Sequence, residues 1–449
     1  MVFNSFEFIV FYVGFYLVFF GLNNRLHQLY LVIVASLFFY GYWNPVYVLL
    51  LLTVCLVAFW AQEARPGKLV RYIGASLAML FFFKYTDFFI LQVNRLGLNW
   101  PLLHLVLPVG ISFYVFHAIS LMVDQQRQRV PRVSLAKIVA YIAFFPLLIA
   151  GPIVRARTYI PQLEKIHIFR REMFRTGMVL FFIGLFKKVV VADNVGLFVD
   201  AVYAAGDSSS TAGNHWLAFY FYAVQIYYDF SGYSDMAIGL SRTLGYRFPA
   251  NFRRPYFSAT LTEFWQRWHI SLSSWLRDYL YIALGGNRKG HVRTLVNLAT
   301  VMLLGGLWHG ASWTFVVWGA LHGVVLGWER IWARLALPFR WPRLLTTLLT
   351  FHFVCFAWVL FRSPDFEATM RFLQGLSDWE SLGVITSKFL AVRCLFLVVL
   401  AGMIEYFSTP RVFWRVCHRA WLGPVALVYL FLMQLFGNFT ATPFIYFQF

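Results

Sequence analysis

A chain of 449 residues that is 60% hydrophobic, 20% aromatic and only 13% charged carries too much apolar surface for a water-soluble fold of ordinary proportions. This composition predicts a polytopic membrane protein. The formal net charge of +19 arises from basic residues clustered beside the apolar segments. It favours anionic lipids or an anionic cytosolic substrate as partners, and no module that could enter a nucleic-acid groove accompanies it.

Apolar runs in chain order predict the membrane helices. They span residues 6–21, 30–59, 73–89, 105–123, 138–149, 177–191, 216–238, 294–326, 344–361, 389–404 and 421–436. A spanning helix needs about 20 apolar residues, and the run 30–59 breaks at residues 41–45, so we expect about 10 to 12 spans. No soluble linker separates two bodies, so we interpret residues 1–449 as one membrane domain, with an interfacial or re-entrant segment at residues 241–293 on the cytosolic side.

Within this segment, residues 241–290 are the least membrane-like part of the chain. Its stretch Phe248-Pro-Ala-Asn-Phe-Arg-Arg-Pro255 cannot form a continuous helix, because the residue before each proline is pushed towards extended geometry. A helix is expected to begin at Thr260 or Thr262, with Glu263 in its first turn. Helical periodicity places one stripe on a single interfacial helix, formed by Trp265, Trp268, Leu272, Trp275, Leu276 and Tyr279. The sequence Leu284-Gly-Gly-Asn-Arg288 predicts a turn, for which a phosphate nest is one interpretation.

Two histidines lie in apolar, tryptophan-rich sequence. His269 follows Trp268 near the edge of the predicted stripe, and His309 stands between Trp308 and Gly310, near the middle of the run 295–326. A histidine within a membrane is a functional-site hypothesis, although a packing role bonded to a neighbouring helix is the alternative. We interpret two further histidines, His322 and His352, as packing residues.

The residues leave two classes of function open. An acyl thioester is already activated, so its direct transfer to an alcohol mainly requires removal of the hydroxyl proton and stabilisation of the developing oxyanion. His309 would be the base, and His269 would orient or polarise a reactant. A histidine-lined transporter is the alternative, with Asp229 and Asp235 as its carboxylates. The four cysteines have no metal-ligand spacing and are interpreted as buried apolar residues (Cys55, Cys355, Cys394 and Cys417). We predict neither a metal nor a bound cofactor.

The chain resembles the membrane-bound O-acyltransferase family, and within it the bacterial polysaccharide O-acetylation branch, almost from end to end. The motifs that carry the resemblance are Leu107-Pro-Val-Gly-Ile-Ser-Phe-Tyr114, Ile149-Ala-Gly-Pro-Ile-Val-Arg155, Phe186-Lys-Lys188 followed by Ala192-Asp193, Tyr228-Asp-Phe-Ser-Gly-Tyr-Ser-Asp-Met-Ala-Ile-Gly239, Glu263-Phe-Trp-Gln-Arg-Trp-His-Ile-Ser-Leu-Ser273, Arg277-Asp-Tyr-Leu-Tyr-Ile282, Leu284-Gly-Gly-Asn-Arg288 and Gly306-Leu-Trp-His-Gly310. One departure is the ending at residues 440–449, which lacks the longer polar tail of some relatives and puts partner contacts through such a tail in doubt.

The resemblance implies an all-α bundle of about eleven spans around a tunnel in the bacterial inner membrane, with acetyl-CoA on the cytosolic side and the acceptor on the outer side. It implies that His309 is the catalytic histidine and that His269 is the second signature histidine. It also implies a separate periplasmic acetyltransferase that completes delivery to the polymer. We expect donor contacts from Trp265, Arg267, Arg277, Asn287 and Arg288, and a tunnel lined by Trp308, Asp229, Ser231 and Tyr228.

The predicted function is O-acetylation of an exported polysaccharide from acetyl-CoA, with alginate as the first expectation for the acceptor. Peptidoglycan and cellulose are alternative acceptors, because the motifs do not distinguish them. D-alanyl transfer to teichoic acid from a carrier-protein thioester is a further alternative.

Overall fold

The structure, a computed structural model, describes residues 1–205, 211–335, 341–385, 387–407, 422–439 and 444. Its secondary structure is helical, with no strand among these residues, which confirms the all-α prediction. Cys417, residues 206–210 and all of 440–449 except Phe444 lie outside the described residues. The other three cysteines are buried free thiols, as predicted.

The chain divides into two compact units. Unit one comprises Met1–Phe181 and Met236–Ala250, and unit two comprises Phe182–Asp235 and Asn251–Phe449. Two long helices, α9 (Arg171–Phe186) and α11 (Ala212–Thr243), contribute residues to both units. Two compact units can belong to one membrane domain or to two. The interpretation of residues 1–449 as one membrane domain therefore stays a prediction.

Unit one contains eight complete helices among its described residues. They are α1 (Phe6–Gly21), α2 (Arg25–Gly41), α3 (Val46–Ala61), α4 (Pro66–Asn94), α5 (Ile111–Gln126), α6 (Leu135–Ile142), α7 (Phe145–Leu148) and α8 (Ala156–Leu163). The predicted break at residues 41–45 is confirmed, because it separates α2 from α3.

Two sequence motifs of unit one meet at a glycine. Gly110 precedes α5 with a positive φ of 76°, and a Cβ at this position would overlap the carbonyl oxygen of Leu148 at the end of α7. Only glycine permits both this backbone conformation and this close approach. On α5, the Nε2 atom of buried His117 accepts a hydrogen bond of 3.1 Å from the Val154 amide, which joins the helix after the first motif to the second motif.

Unit two contains the remaining described elements. They are a first π-helix (Lys187–Ala192), α10 (Asp193–Ala205), a 3₁₀ turn (Pro255–Phe257), α12 (Leu261–Arg267), α13 (Ile270–Trp275), a second π-helix (Leu276–Tyr281), α14 (His291–His309), α15 (Trp313–Arg334), α16 (Arg343–Arg362), α17 (Phe366–Leu376), a 3₁₀ turn (Trp379–Ser381), α18 (Lys388–Phe407) and α19 (Leu422–Phe436). No helix forms between residues 244 and 254, as the prolines predicted.

The prediction of a single interfacial helix up to Tyr279 is wrong. Thr260 caps α12 as predicted, because its side chain accepts a 3.0 Å hydrogen bond from the Glu263 amide. The helix ends at Arg267, and His269 adopts left-handed backbone angles of φ 42° and ψ 53°. This conformation turns the chain, so α13 and the second π-helix are separate elements and the stripe does not lie on one continuous face.

The apolar run 294–326 forms two helices instead of one. Helix α14 ends at His309, Gly310 is extended, and the Ser312 side chain caps α15 by accepting a 3.3 Å hydrogen bond from the Thr314 amide. Residues near the end of α14 approach the start of α15, and Gly323 further along α15 approaches Ala299 further back on α14, so the pair is an antiparallel hairpin. His309 therefore lies at the carboxyl end of a helix and not near the middle of one.

Two described helices are long and apolar enough to cross a membrane by length and composition, Gly67–Asn94 and Arg343–Arg362. Shorter apolar helices occur at Phe6–Gly21, Arg25–Gly41, Val46–Ala61 and Ala426–Phe436. The helical content agrees with the predicted membrane bundle, whereas the number of spans stays a prediction.

Candidate active site

His309 ends α14 inside an aromatic enclosure. Its ring centroid lies 5.0 Å from that of Trp308, 5.2 Å from that of Trp318 and 5.1 Å from that of Phe361, and all three pairs meet edge to face. Only 5% of His309 is exposed. Aromatic walls on several sides restrict the ring orientation of the imidazole, which is the preorganisation that a general base requires.

Glycines set the spacing of the two helices that carry this enclosure. A Cβ at Gly306 would overlap the carbonyl oxygen of Phe315, and a Cβ at Gly319 would overlap that of Met302. A Cβ at Gly310 would overlap the ring of Phe315. Backbone-to-backbone contact between α14 and α15 is thus possible only with small residues, and it fixes His309 relative to Trp318.

His269 is fully buried at the junction of α12 and α13. Its Nδ1 atom lies 3.4 Å from Oδ1 of Asn251, and the same oxygen accepts a 3.1 Å hydrogen bond from the Ser271 amide. The Asn251 carbonyl accepts from the Ile270 amide at 2.9 Å. Asn251 therefore braces the left-handed turn from both its side chain and its backbone, a role that the sequence analysis did not assign.

Trp308 connects the two histidines. The His269 ring is 6.1 Å from the Trp308 ring, which in turn contacts the His309 ring at 5.0 Å. On its other side, His269 meets Phe230 of α11 edge to face at 4.6 Å. The structure thus brings His269, Trp308 and His309 into one cluster.

The five expected donor-binding residues fall into two groups. Trp265 packs on Trp318 at 5.9 Å and so lies beside the His309 enclosure. The others have local contacts or exposed side chains: Arg267 pairs with Glu263 at 2.5 Å, Arg277 pairs with Asp278 at 2.9 Å, Asn287 accepts a short hydrogen bond from Tyr281, and Arg288 is exposed. The expected turn at residues 284–288 is present, with positive φ at both glycines.

Two of the expected tunnel residues take part in charged or polar networks of unit two. Asp229 pairs with Lys188 of the first π-helix at 2.7 Å, and Lys188 also pairs with Asp193 at 2.8 Å. Tyr228 donates a hydrogen bond of 3.0 Å to Glu405, and Ser231 is buried. The motifs around Lys188 and Asp229, remote in sequence, are therefore joined by a buried ion cluster.

His322 has a closer relation to the site than its interpretation as a packing residue suggested. It lies on α15, fully buried, and its Nδ1 atom accepts a 3.2 Å hydrogen bond from Nε1 of Trp265. Its ring also contacts Trp318 at 4.5 Å. The pattern Trp318-x-x-x-His322, with one residue on each turn of the same helix, was the available sequence signal.

Among the described residues, no group of three or more His, Cys, Asp or Glu side chains is arranged to hold a metal ion. The site chemistry described here is that of imidazole, indole and amide groups.

The sequence profile of the membrane-bound O-acyltransferase family matches residues 29–363. The chain belongs to this family, whose members are acyltransferases.

Its relatives include the probable alginate O-acetylase AlgI of Pseudomonas putida, 37% identical over 434 residues, which cover 92% of this chain and 88% of the relative. The peptidoglycan O-acetyltransferase of Helicobacter pylori is 36% identical, covering 81% of this chain and 76% of the relative. The teichoic acid D-alanyltransferase of Bacillus subtilis is 27% identical, covering 77% and 93%.

Proposed function

We propose that this protein transfers acetyl groups from acetyl-CoA for the O-acetylation of an exported polysaccharide, with alginate as the first candidate acceptor. The observation that carries this proposal is the enclosed His309 at the end of α14, in a chain that shares 37% identity over 92% of its length with a probable alginate O-acetylase. The identity favours acetyl chemistry, and the enclosed imidazole supplies a base for it.

In the proposed reaction, His309 removes the proton from an acceptor hydroxyl. The hydroxyl oxygen attacks the thioester carbonyl, a carbon–oxygen bond forms and the carbon–sulfur bond breaks. The proton held on His309 then returns to the thiolate, which leaves as coenzyme A. His269 acts indirectly: it contacts Trp308 and holds that ring in place against His309.

We further propose that the donor enters beside Trp265 and that basic residues meet the coenzyme phosphates. Arg277 and Arg288 are the stronger candidates because their side chains are exposed, even with Arg277 paired to its neighbour Asp278, whereas Arg267 is less exposed and pairs with Glu263. Asn287 acts on the donor through the glycine turn. Trp308, Tyr228, Asp229 and Ser231 belong to the lining of the acyl path.

The proposed setting is a single membrane domain of about eleven spans in a bacterial inner membrane. The short apolar helices and the two longer ones support a bundle, and membrane lipids surround it. A periplasmic acetyltransferase takes up the acetyl group and passes it to the polymer.

The test is release of free coenzyme A from acetyl-CoA by the purified protein in nanodiscs, with an acceptor oligosaccharide present. His309→Gln is expected to lower the rate by 10²-fold or more, the order expected when a general base is lost. His352→Gln is the matched control, because His352 also lies in an apolar run of unit two, on α16, but bonds to Tyr220 at 3.0 Å. Equal rates in the two variants would refute the role of His309, and no release by folded wild type would refute acetyl-CoA as donor.

A second candidate acceptor is peptidoglycan, favoured by the 36% identity to a peptidoglycan O-acetyltransferase. Supplying radiolabelled acetyl-CoA with alginate oligomers or with peptidoglycan fragments, together with a periplasmic acetyltransferase, separates the two. D-alanyl transfer would instead require a carrier-protein thioester, and transfer from that donor alone would overturn the acetyl proposal.

Donor binding is tested through the KM for acetyl-CoA. Arg288→Gln is expected to raise this KM about tenfold, since a hydrogen bond to a charged phosphate contributes about 1.5–3 kcal/mol. The control Arg371→Gln removes a partly exposed arginine that pairs with Glu367 on α17. An unchanged KM in Arg288→Gln would leave that arginine without a donor role.

A further inference from the structure

We propose that Trp318 and His322, on successive turns of α15, form a pair of hydrogen-bond donors that binds the carbonyl oxygen of the acyl group during transfer at His309. This inference rests on the proposed acyl-transfer function and assigns two residues that the family motifs described above do not include.

The first observation is the tautomer of His322. Its Nδ1 atom accepts from the indole N–H of Trp265 at 3.2 Å, and an indole nitrogen can only donate. The imidazole must therefore be neutral with its proton on Nε2. That Nε2–H group is buried and has no hydrogen-bond partner among the described residues.

The second observation is a neighbouring donor of the same kind. Trp318 is 1% exposed, and its indole Nε1–H has no hydrogen-bond partner among the described residues either. Its ring lies 4.5 Å from His322 and 5.2 Å from His309, centroid to centroid. Residues four apart on a helix share a face, so both donors belong to the α15 surface that meets the enclosure.

The free-energy cost of burying these two donors indicates that they bind a ligand. A buried donor without an acceptor costs about 1–3 kcal/mol, and such groups are rare in native proteins. Two of them on one helix face, beside a proposed catalytic base, match an acceptor that is present only during turnover. The thioester carbonyl oxygen is such an acceptor, and it gains negative charge as the tetrahedral intermediate forms.

The hydrogen bond from Trp265 gives His322 its proton position. Without it, the imidazole could rotate or place its proton on Nδ1, and the second donor would be lost. Trp265 is therefore a positioning residue for this pair, in addition to its proposed place beside the donor.

The experiment compares acetyl-CoA with its dithioester analogue, in which sulfur replaces the carbonyl oxygen and accepts hydrogen bonds weakly. The readout is kcat/KM for coenzyme A release from each donor. Trp318→Phe removes the N–H group and keeps an aromatic ring, and it should lower the acetyl-CoA value on the order of 10²-fold while changing the dithioester value little. His322→Leu should act in the same direction, and His322→Gln, whose amide can both accept and donate, should restore part of the loss.

The matched control is Trp358→Phe. Trp358 packs on Trp318 at 5.9 Å and is equally buried, but its Nε1–H donates to the Tyr256 hydroxyl at 3.2 Å. It should leave the ratio of the two donors unchanged. Equal losses on both donors in Trp318→Phe and His322→Leu, at matched thermal stability, would overturn the donor pair while leaving the proposed function intact. Wild type that releases coenzyme A from neither donor would overturn the proposed function and this inference with it.

Discussion

Replacing Gly306 with alanine tests whether the α14–α15 spacing controls catalysis. The added Cβ would stand 3.2 Å from the Phe315 carbonyl carbon and would overlap its oxygen, which lies about 1.2 Å from that carbon. Ordinary contact requires about 3.5 Å, so the helices must separate by roughly 1 Å. Overpacking of this kind costs about 1–3 kcal/mol, offset in part by about 1 kcal/mol of helix propensity.

The larger effect is expected on activity. A separation of roughly 1 Å moves His309 away from the Trp318 wall, and a misplacement of that size lowers a rate by about 10²-fold. The assay is the initial rate of coenzyme A release, measured with the thermal unfolding midpoint in the same nanodiscs.

The neighbouring residue supplies the control for Gly306→Ala. A Cβ at Gly305 would meet only the Leu276 side chain at 3.4 Å, which is ordinary contact. Gly305→Ala should therefore keep its activity within about twofold and gain about 0.5–1 kcal/mol of stability. If Gly306→Ala kept wild-type activity, or if the two variants lost activity equally, the proposed dependence of the site on helix spacing would be refuted.

Three further outcomes are expected. Lys188→Met removes the ammonium group that pairs with the buried carboxylates of Asp193 and Asp229, and it should lower the free energy of unfolding by about 3–5 kcal/mol. Lys137→Met, which breaks a partly exposed pair, should cost less than about 1 kcal/mol in the same denaturation assay, and similar losses in the two variants would contradict the role of the cluster. Thr260→Ala should lower stability by about 1 kcal/mol and Thr260→Ser should not, and equal melting points for the two would exclude the cap. Burial lowers the pKa of His167, in the connection between α8 and α9 outside the spanning helices, so stability should fall as pH drops below about 6.5; a slope that persists in His167→Gln would assign the effect to another group.

The sequence predicted features whose cause is local. The break between α2 and α3 follows from the turn residues at 41–45, and the Thr260 cap follows from a threonine three residues before an acidic residue. By contrast, no local sequence pattern predicts that His269 and His309, 40 positions apart, lie in one cluster through Trp308.

The wrong predictions from the sequence share one physical cause, which is dependence on contacts between residues distant in the chain or on a helix end within apolar sequence. Hydropathy does not register a helix end when both flanks are apolar, so the reversal at Gly310 was missed within one long run. The left-handed turn at His269 depends on hydrogen bonds to Asn251, 18 residues earlier, and has no signature of its own. The interpretation of His322 as a packing residue missed a partner, Trp265, that is 57 residues away in the chain.

The left-handed backbone conformation at position 269 limits which residues can occupy this position, whatever their chemical role. Branched and bulky side chains are strained at a φ of 42°, while asparagine, aspartate and histidine tolerate it best among residues with a side chain. These three also happen to be hydrogen-bonding groups of similar reach. Position 269 is therefore constrained twice, by a backbone conformation that few residues accept and by full burial, which disfavours a charged carboxylate there.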